Sequence, residues 1–344
     1  MRCALLAAVS LPFVFTALPL HAADLSDLTW TTTDDQVTIT ACDRGAAGEL
    51  VIPDTIEGNA VTSIGNRAFR GCNSLPSITI PEGVTSIGDI AFQSCTGLTS
   101  ITIPDSVTSI GDGAFSRCTN LTTIEIGVGN VNYTVVDGVL FNTKMTLLHT
   151  YPEGKTGANY TIPDSVTSIG ALAFWFCRKL TSITIPEGVT SIGDRAFEVC
   201  KGLRSITIPE GDTSIGDFSF GQCTSLTRIT IPGSVTTIGD SAFSRCTGLT
   251  SITIPDSVTR IGKSAFAICR NLTSITIPDS VTSIGRYAFQ SCEGLTAVTF
   301  LGDAPKAGGG IFKYATFTIY RKPEAKGWRS TWGGRPVKLI SEKP

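Results

Sequence analysis

A 23-residue unit recurs along most of this chain, and no other feature constrains the fold as strongly. Residues 98–120 are the clearest copy, LTSITIPDSVTSIGDGAFSRCTN. A leucine opens a copy at nine positions: Leu75, Leu98, Leu121, Leu180, Leu203, Leu226, Leu249, Leu272 and Leu295. A fixed period of roughly 20–50 residues is typical of solenoids and related arrays, whose units bury their apolar faces only against neighbouring units. The repeat therefore predicts a stack of coils.

Within one copy, three short apolar segments predict the sides of a coil. Leu98, Ile101 and Ile103 have the L-x-x-L-x-L spacing that marks the strand of a leucine-rich repeat. A Pro-Asp pair then predicts a turn, residues 107–110 a second short strand, and the Ala-Phe-x-x-Cys segment at 114–118 a short helical turn. A single coil loses more backbone entropy on ordering than its apolar side chains recover on burial. We therefore expect all coils to share one continuous hydrophobic core.

The chain divides into four predicted segments and one insertion. Residues 1–23 combine a basic start, an apolar stretch and small terminal residues, which is typical of a secretory signal peptide. Residues 24–74 are predicted to form an N-terminal cap and a first atypical coil, 75–295 the 23-residue repeats, and 296–344 a C-terminal cap. The period breaks once, and we place the extra residues at 127–160.

The insertion carries a hairpin signal. Asp137 and Gly138 separate two apolar stretches, and this dipeptide is typical of a type I′ turn between antiparallel strands. We predict a pair of strands that extends one coil. The expected architecture is a right-handed solenoid of the leucine-rich-repeat type with about ten coils. It has a parallel β-sheet on one face, short second strands and short helical turns on the others, and one hairpin-like insertion.

Charge and hydropathy narrow the classes of partner. The 27 basic and 29 acidic residues nearly balance, and charged residues make up only 16% of the chain. This composition lacks the basic field of a nucleic-acid-binding protein. No stretch after the signal segment is long and apolar enough for a transmembrane helix. We predict an exported monomer in the extracellular space, at the cell surface or in the periplasm, with no nucleic acid as a partner.

One cysteine recurs per copy and predicts a ladder of equivalent side chains. Its nine members are Cys72, Cys95, Cys118, Cys177, Cys200, Cys223, Cys246, Cys269 and Cys292. Equivalent side chains of stacked coils lie about 4.8 Å apart and point in parallel, which opposes the torsion of a disulfide. The repeats lack the C-x-x-C pairs or interspersed histidines of zinc sites. We interpret the ladder as buried thiols, leave the oxidation of an adjacent pair open, and assign no role to Cys42.

Two further ladders offer alternative functions. Carboxylates follow the turn proline at Asp54, Glu82, Asp105, Asp164, Glu187, Glu210, Asp256 and Asp279. They could bind Ca²⁺ between coils, but local turn formation explains them without a metal, and no EF-hand loop accompanies them. Threonines recur between the two strand isoleucines and could order water as in ice-binding solenoids, although β-propensity also explains them. We predict neither a metal nor a cofactor.

Catalytic groups are sparse. His149 is the one histidine after the signal segment, and we expect it to be a surface residue of the insertion. No nucleophile elbow, phosphate-binding loop or zinc-protease motif is present. The carboxylates belong to repeating turns and not to one cleft. We therefore predict that the chain is not an enzyme, with a hydrolytic solenoid as a remote alternative.

The repeat sequence resembles a known family. Segments of the form S-I-T-I-P-E-G-V-T-S-I-G-D-x-A-F-x-x-C are similar to the BspA-like leucine-rich repeat proteins, a bacterial surface and secreted group. Residues 36–69 look like that family's opening coil, and residues 296–339 look like its closing segment. The resemblance implies a repeat scaffold linked to adhesion and host binding. The fold alone does not define a ligand.

Departures from the consensus mark candidate partner contacts. Glu125, Arg204 and Arg228 replace Thr or Ser on the predicted exposed sheet face, and Trp175 and Phe176 precede a ladder cysteine. Arginine and exposed aromatic residues are favoured interface anchors. The insertion could instead fold over the two aromatic residues. We predict a non-catalytic scaffold that binds an extracellular protein or glycan; the alternative is a structural envelope or spacer protein without a specific ligand.

Overall fold

The computed structural model describes residues 22–211 and 214–343, so all but the last two residues of the predicted signal peptide lie outside the described residues. The chain forms a β-solenoid of about twelve turns, which corrects the expected ten. The hairpin-like insertion is confirmed, with antiparallel strands at Tyr133–Val136 and Val139–Asn142. Helix is limited in the described residues to two single 3₁₀ turns, at Leu25–Asp27 and Ile340–Glu342.

Two rows of short parallel strands line the solenoid. The row built on the L-x-x-I-x-I segment, here called sheet A, has the strands Leu50–Val51, Ile78–Thr79, Ser100–Ile103, Thr123–Ile126, Asn159–Thr161, Ser182–Thr184, Ser205–Thr207, Arg228–Thr230, Ser274–Ile277, Ala297–Phe300, Thr318–Arg321 and Arg335–Leu339. The row built on the T-S-I-G segment, here called sheet B, has the strands Gln36–Cys42, Asn59–Ile64, Ser86–Ile87, Ser109–Ile110, Leu147–Thr150, Ser168–Ile169, Ser191–Ile192, Ser214–Ile215, Thr237–Ile238, Arg260–Ile261, Ser283–Ile284 and Lys306–Ala307.

Besides the strands of the insertion, antiparallel strands occur at the two ends and at one early turn. Leu28–Thr33 pairs with the first strand of sheet B, and Thr55–Ile56 pairs with the second. Thr331–Trp332 pairs with Arg335–Leu339 at the C-terminal end. There Trp332 lies 5.2 Å from Phe300, measured between ring centroids, and covers the last apolar layer.

The Ala-Phe-x-x-Cys segment is a run of tight turns and not the helical turn that its spacing predicts. Alternate amides bond to the next coil, as from Phe69 N to Ala91 O at 2.8 Å. The amides between them close turns within the coil, as from Cys72 N to Phe69 O at 3.1 Å. Two residues per coil adopt positive φ, for example Ile90 at 48° and Ser94 at 62°. Backbone hydrogen bonds between coils therefore form in preference to those of a local helix.

Close approach between coils explains the glycine in the I-G-D segment. A Cβ added at Gly111 would lie 2.4 Å from the amide nitrogen of Asp89 in the preceding coil. The aspartate that follows links the coils, because Asp89 Oδ1 accepts a hydrogen bond from Asp112 N at 3.0 Å. The same bond joins Asp217 to Asp240 at 2.6 Å. The side chains of this polar row thus add to the backbone ladder between coils.

The apolar interior is divided, so the expectation of one continuous core is wrong at one place. One cluster of buried residues runs from Ala23 to Ile124 and includes Leu140. The other runs from Val139 to Ile319. Phenylalanine rings stack within each part at centroid distances of 5.1–5.8 Å. The division falls at the insertion.

Candidate functional site

The insertion is the place where the regular stack changes. Asn159–Thr161 pairs in register with Ser182–Thr184, so Gly157 stands where the next copy has Leu180. The long gap between leucines therefore holds two coils, one of 36 residues at 121–156 and a regular one of 23 residues that lacks its leucine. We call residues 121–156 the insertion coil. This hidden copy accounts for part of the difference between ten and twelve coils.

The hairpin of the insertion coil separates the two cores. Asp137 and Gly138 have φ values of 50° and 75°, as a type I′ turn requires. Val139, Leu140 and Phe141 in the second hairpin strand are all fully buried. Successive side chains of a strand point to opposite faces. Leu140 accordingly joins the N-terminal core, whereas its two neighbours join the C-terminal core.

Side chains replace the strand ladder where sheet B is interrupted. The Tyr133 hydroxyl accepts a hydrogen bond from Ile110 N at 2.9 Å. His149 Nε2 donates to Ile110 O at 3.0 Å, and its Nδ1 accepts from the Thr150 hydroxyl at 2.9 Å. His149 is buried, which corrects the expected surface position, and burial lowers its pKa. A neutral His149 thus completes the backbone hydrogen bonds at the boundary.

A rigid loop precedes the hairpin and displays two valines. Asn130 Nδ2 donates to Pro104 O at 2.8 Å and Val107 O at 3.0 Å, while its Oδ1 accepts two further backbone amides. Val128 and Val131 are nevertheless 108% and 78% exposed as whole residues. We call residues 127–132 the valine loop. Sequence reasoning missed both valines, although apolar residues between glycine and asparagine were a visible signal.

Carboxylate and aromatic groups meet where the insertion coil ends. Glu153 Oε2 is buried and has no hydrogen-bond partner in the described part of the chain. Burial raises the pKa of Glu153 to about 7, against the opposing effect of nearby Arg178 and Arg117. Both guanidinium groups lie over the Phe176 ring, at 4.5 Å for Arg117 and 4.7 Å for Arg178. Trp175 packs edge-on against Phe176 at 4.8 Å, and both aromatic residues are half-buried.

The three other sequence-predicted contacts lie exposed on sheet A. Glu125 accepts a hydrogen bond from the Thr102 hydroxyl at 3.2 Å. Arg204 and Arg228 belong to neighbouring coils, because Arg228 pairs with Ser205. The backbone of Arg228 therefore lies beside the residue that follows Arg204, and Glu125 lies in the strand that leads into the valine loop.

The cysteines form a buried column whose thiols bond to the backbone. All ten cysteines of the described residues are free and buried. In seven of them the thiol donates to the carbonyl of a phenylalanine one coil earlier at 2.9–3.1 Å, as from Cys223 to Phe197. Burial raises the pKa of Cys246 to about 12, so its thiol keeps its proton. No group of three or more histidine, cysteine or carboxylate side chains is arranged for a metal ion among the described residues.

The geometry defines a leucine-rich repeat solenoid, and comparisons with known proteins agree. The family model of the BspA type leucine rich repeat region, with six copies, matches residues 49–155, 153–273 and 213–324. The chain belongs to this family. No curated protein sequence is significantly similar to it.

Solved structures of bacterial leucine-rich repeat proteins share the architecture. One from Eubacterium ventriosum is 28% identical, with a TM-score of 0.65, and the match covers 90% of this chain and 97% of that protein. A leucine rich cell surface protein from Faecalibacterium prausnitzii is 33% identical, with a TM-score of 0.55. That match covers 74% of this chain and 60% of the other protein. In residues 22–211 and 214–343, no helix has the length and hydropathy needed to span a bilayer.

Proposed function

We propose that the chain is an exported, non-catalytic scaffold that binds an extracellular protein or glycan through the surface around the insertion coil. The observation that carries this proposal is the valine loop. Val128 and Val131 are exposed, although partly buried hydrogen bonds from the Asn130 side chain to the backbone of the preceding coil hold the loop in place. A fixed backbone reduces the entropy lost on binding, so these side chains are prepared for a contact. Exposed valines favour a protein partner.

The polar departures on sheet A extend the proposed surface. Glu125 lies in the strand before the valine loop, and Arg204 and Arg228 lie further along the same sheet. Trp175 and Phe176 remain proposed contacts, although Arg117 and Arg178 cover one face or edge of Phe176 in the unbound chain. The family and the cell surface protein among the structural relatives support an extracellular site of action.

A binding screen tests the proposal. The chain is applied to an array of extracellular-matrix proteins, glycans and surface proteins, and the strongest binder is titrated with the double variant Val128→Ser/Val131→Ser. Burial of one valine contributes roughly 1.5–3 kcal/mol, so we expect affinity to fall at least about tenfold. Val51→Ser is the matched control, because Val51 is 65% exposed but lies on sheet A far from the valine loop in sequence.

The outcomes separate recognition from a spacer role. Loss of binding in the double variant with full binding of the control supports the proposal. Absence of binding to every member of the array contradicts the proposal and favours a spacer. Equal binding by the wild type, the double variant and the Val51→Ser control also contradicts it. Arg204→Ala/Arg228→Ala then tests whether the contact reaches along sheet A.

A further inference from the structure

Cys42 occupies a position that no other cysteine in residues 22–211 and 214–343 shares. Its amide donates to Ala68 O at 2.7 Å, just as the Phe69 amide donates to Ala91 O one coil later. Cys42 thus stands at the head of the phenylalanine column. Each ladder thiol is directed at the carbonyl of the phenylalanine position in the preceding coil, as from Cys95 to Phe69. For Cys72, the ladder cysteine of the next coil, the residue at that position is Cys42.

The Cys72 thiol lacks the short backbone bond that most of the ladder has. Its distance to Cys42 O is 3.7 Å, against 2.9 Å from the Cys95 thiol to Phe69 O. The Cys42 thiol lies 3.5 Å from Asp43 O, and the Cys72 thiol lies 3.7 Å from the same oxygen. The neighbouring Cys42 side chain and the Arg44 guanidinium lower the pKa of the Cys72 thiol, although burial opposes them.

Geometry separates this pair from the rest of the ladder. Ladder cysteines are equivalent residues of stacked coils and point in parallel, which is unfavourable for the torsion near 90° of a disulfide. Cys42 and Cys72 occupy different positions in their coils, and both thiols approach the same oxygen, Asp43 O. Cys42 is also 9% exposed at the end of the stack, whereas Cys72, Cys95 and Cys118 are fully buried, so Cys42 is the thiol of the pair that an oxidant reaches first.

We propose that Cys42 and Cys72 form a disulfide that ties the N-terminal strand Gln36–Cys42 to the first stacked coil. A low-molecular-weight disulfide such as oxidised glutathione supplies the oxidising equivalents. Cys42 first forms a mixed disulfide and releases one glutathione thiol; the Cys72 thiolate then attacks the Cys42 sulfur and releases the second. Two protein thiols are oxidised, one glutathione disulfide is reduced to two thiols, and no other electron acceptor is needed.

The cross-link would act where the solenoid is weakest. A terminal coil has a neighbour on one side only, so it loses its structure before the central coils do. A bond between residues 42 and 72 closes a loop of the unfolded chain and thereby favours the folded end. The inference does not depend on the binding function proposed above, since it requires only that the chain meets a disulfide oxidant.

Peptide mapping after oxidation tests the proposal. The folded full chain is incubated with oxidised glutathione, alkylated under denaturing conditions without reductant, digested and analysed by mass spectrometry. We expect a cross-linked peptide pair containing Cys42 and Cys72, with Cys95, Cys118 and Cys223 alkylated. Reductant should lower the melting temperature of the oxidised chain by about 5 °C. It should leave that of Cys42→Ala unchanged.

Other results would overturn the proposal. Alkylation of both Cys42 and Cys72 after oxidation shows that the pair does not form, and a cross-link between Cys95 and Cys118 shows that parallel ladder thiols react instead. The mapping uses the unaltered chain, so it decides the question even if Cys42→Ala does not fold.

Discussion

The regular coils and the insertion coil achieve the same stacking with different side chains. In a regular coil, equivalent residues repeat every contact, as where Phe220 stacks on Phe243 at 5.6 Å. The insertion coil has no equivalent partner for its hairpin, and single side chains such as Tyr133 and His149 replace the missing backbone bonds. Repetition makes a regular coil robust, because its neighbours supply the same ladder. The insertion coil depends on a few specific atoms, and it also carries the valine loop.

The largest predicted effect compares the two cores. Phe220→Ala removes a fully buried ring from the C-terminal core, and Leu140→Ala shortens the dividing strand on its N-terminal side. Each should lower the free energy of unfolding by about 2–5 kcal/mol. Hydrogen exchange should rise mainly in the C-terminal core for Phe220→Ala and mainly in the N-terminal core for Leu140→Ala. Identical exchange patterns in the two variants would show that the cores unfold as one unit.

A smaller effect is expected at Gly154, which brings the end of the insertion coil against the first residue of that coil, Leu121. A Cβ at this residue would lie 2.5 Å from Leu121 O. Gly154→Ala should therefore cost about 1–3 kcal/mol in chemical denaturation, as overpacking against backbone does. Gly309→Ala is the control, because an added Cβ there meets no atom within 4 Å. Equal stability of the two variants would mean that the backbone at Gly154 relaxes freely.

His149 predicts a loss of stability in acid. Its folded-state pKa is lowered below the ordinary value of 6.5, so below that pH the unfolded chain takes up a proton that the folded chain excludes. The contribution of His149 is therefore complete above pH 6.5 and is lost as the pH falls through its folded pKa. Denaturation at pH 7 and pH 5 should show a smaller decline for His149→Gln than for the wild type. A parallel decline would place the responsible group elsewhere.

Glu153 predicts the smallest effect, with the opposite sign. Its pKa rises from 4.5 to about 7 in the folded chain, so between these values the folded state keeps a proton that the unfolded state loses. This contribution is complete below pH 4.5 and is lost as the pH rises through 7. Relative to the wild type, Glu153→Gln should gain stability between pH 5 and pH 8 when melting temperatures are compared. Constant relative stability over that range would contradict the raised pKa.

Particular residues show how far the repeat predicts the fold. The strand at Ser100–Ile103, the turn at Asp137 and the buried cysteines follow from spacing, since each coil meets nearly identical neighbours. The tight turns at Ala114–Cys118 were expected as helix, because local spacing alone does not report hydrogen bonds to the next coil. The coil at 157–179 was not counted as a separate copy because Gly157 replaces its leucine, although its Asp164 and Cys177 were assigned to the ladders.

The residues of the candidate site were harder to predict from the repeat than the fold was. Glu125, Arg204 and Arg228 were found as departures from the consensus, and the structure leaves them exposed. The exposure of Val128 depends on where the polypeptide turns after sheet A. The burial of His149 depends on its hydrogen bond to the backbone of Ile110. Both features depend on segments that do not repeat, so they cannot be predicted from the other copies in the sequence.

The amino-acid sequence by itself determined the stacked architecture, because a 23-residue period forces each coil to pack on a near-copy of itself. Only the tertiary structure decided where that stack is divided. The strand Val139–Asn142 passes between two cores, with Leu140 on one side and Val139 and Phe141 on the other. Its three successive buried side chains lie between two apolar clusters, an arrangement that arises only once both cores have formed around it.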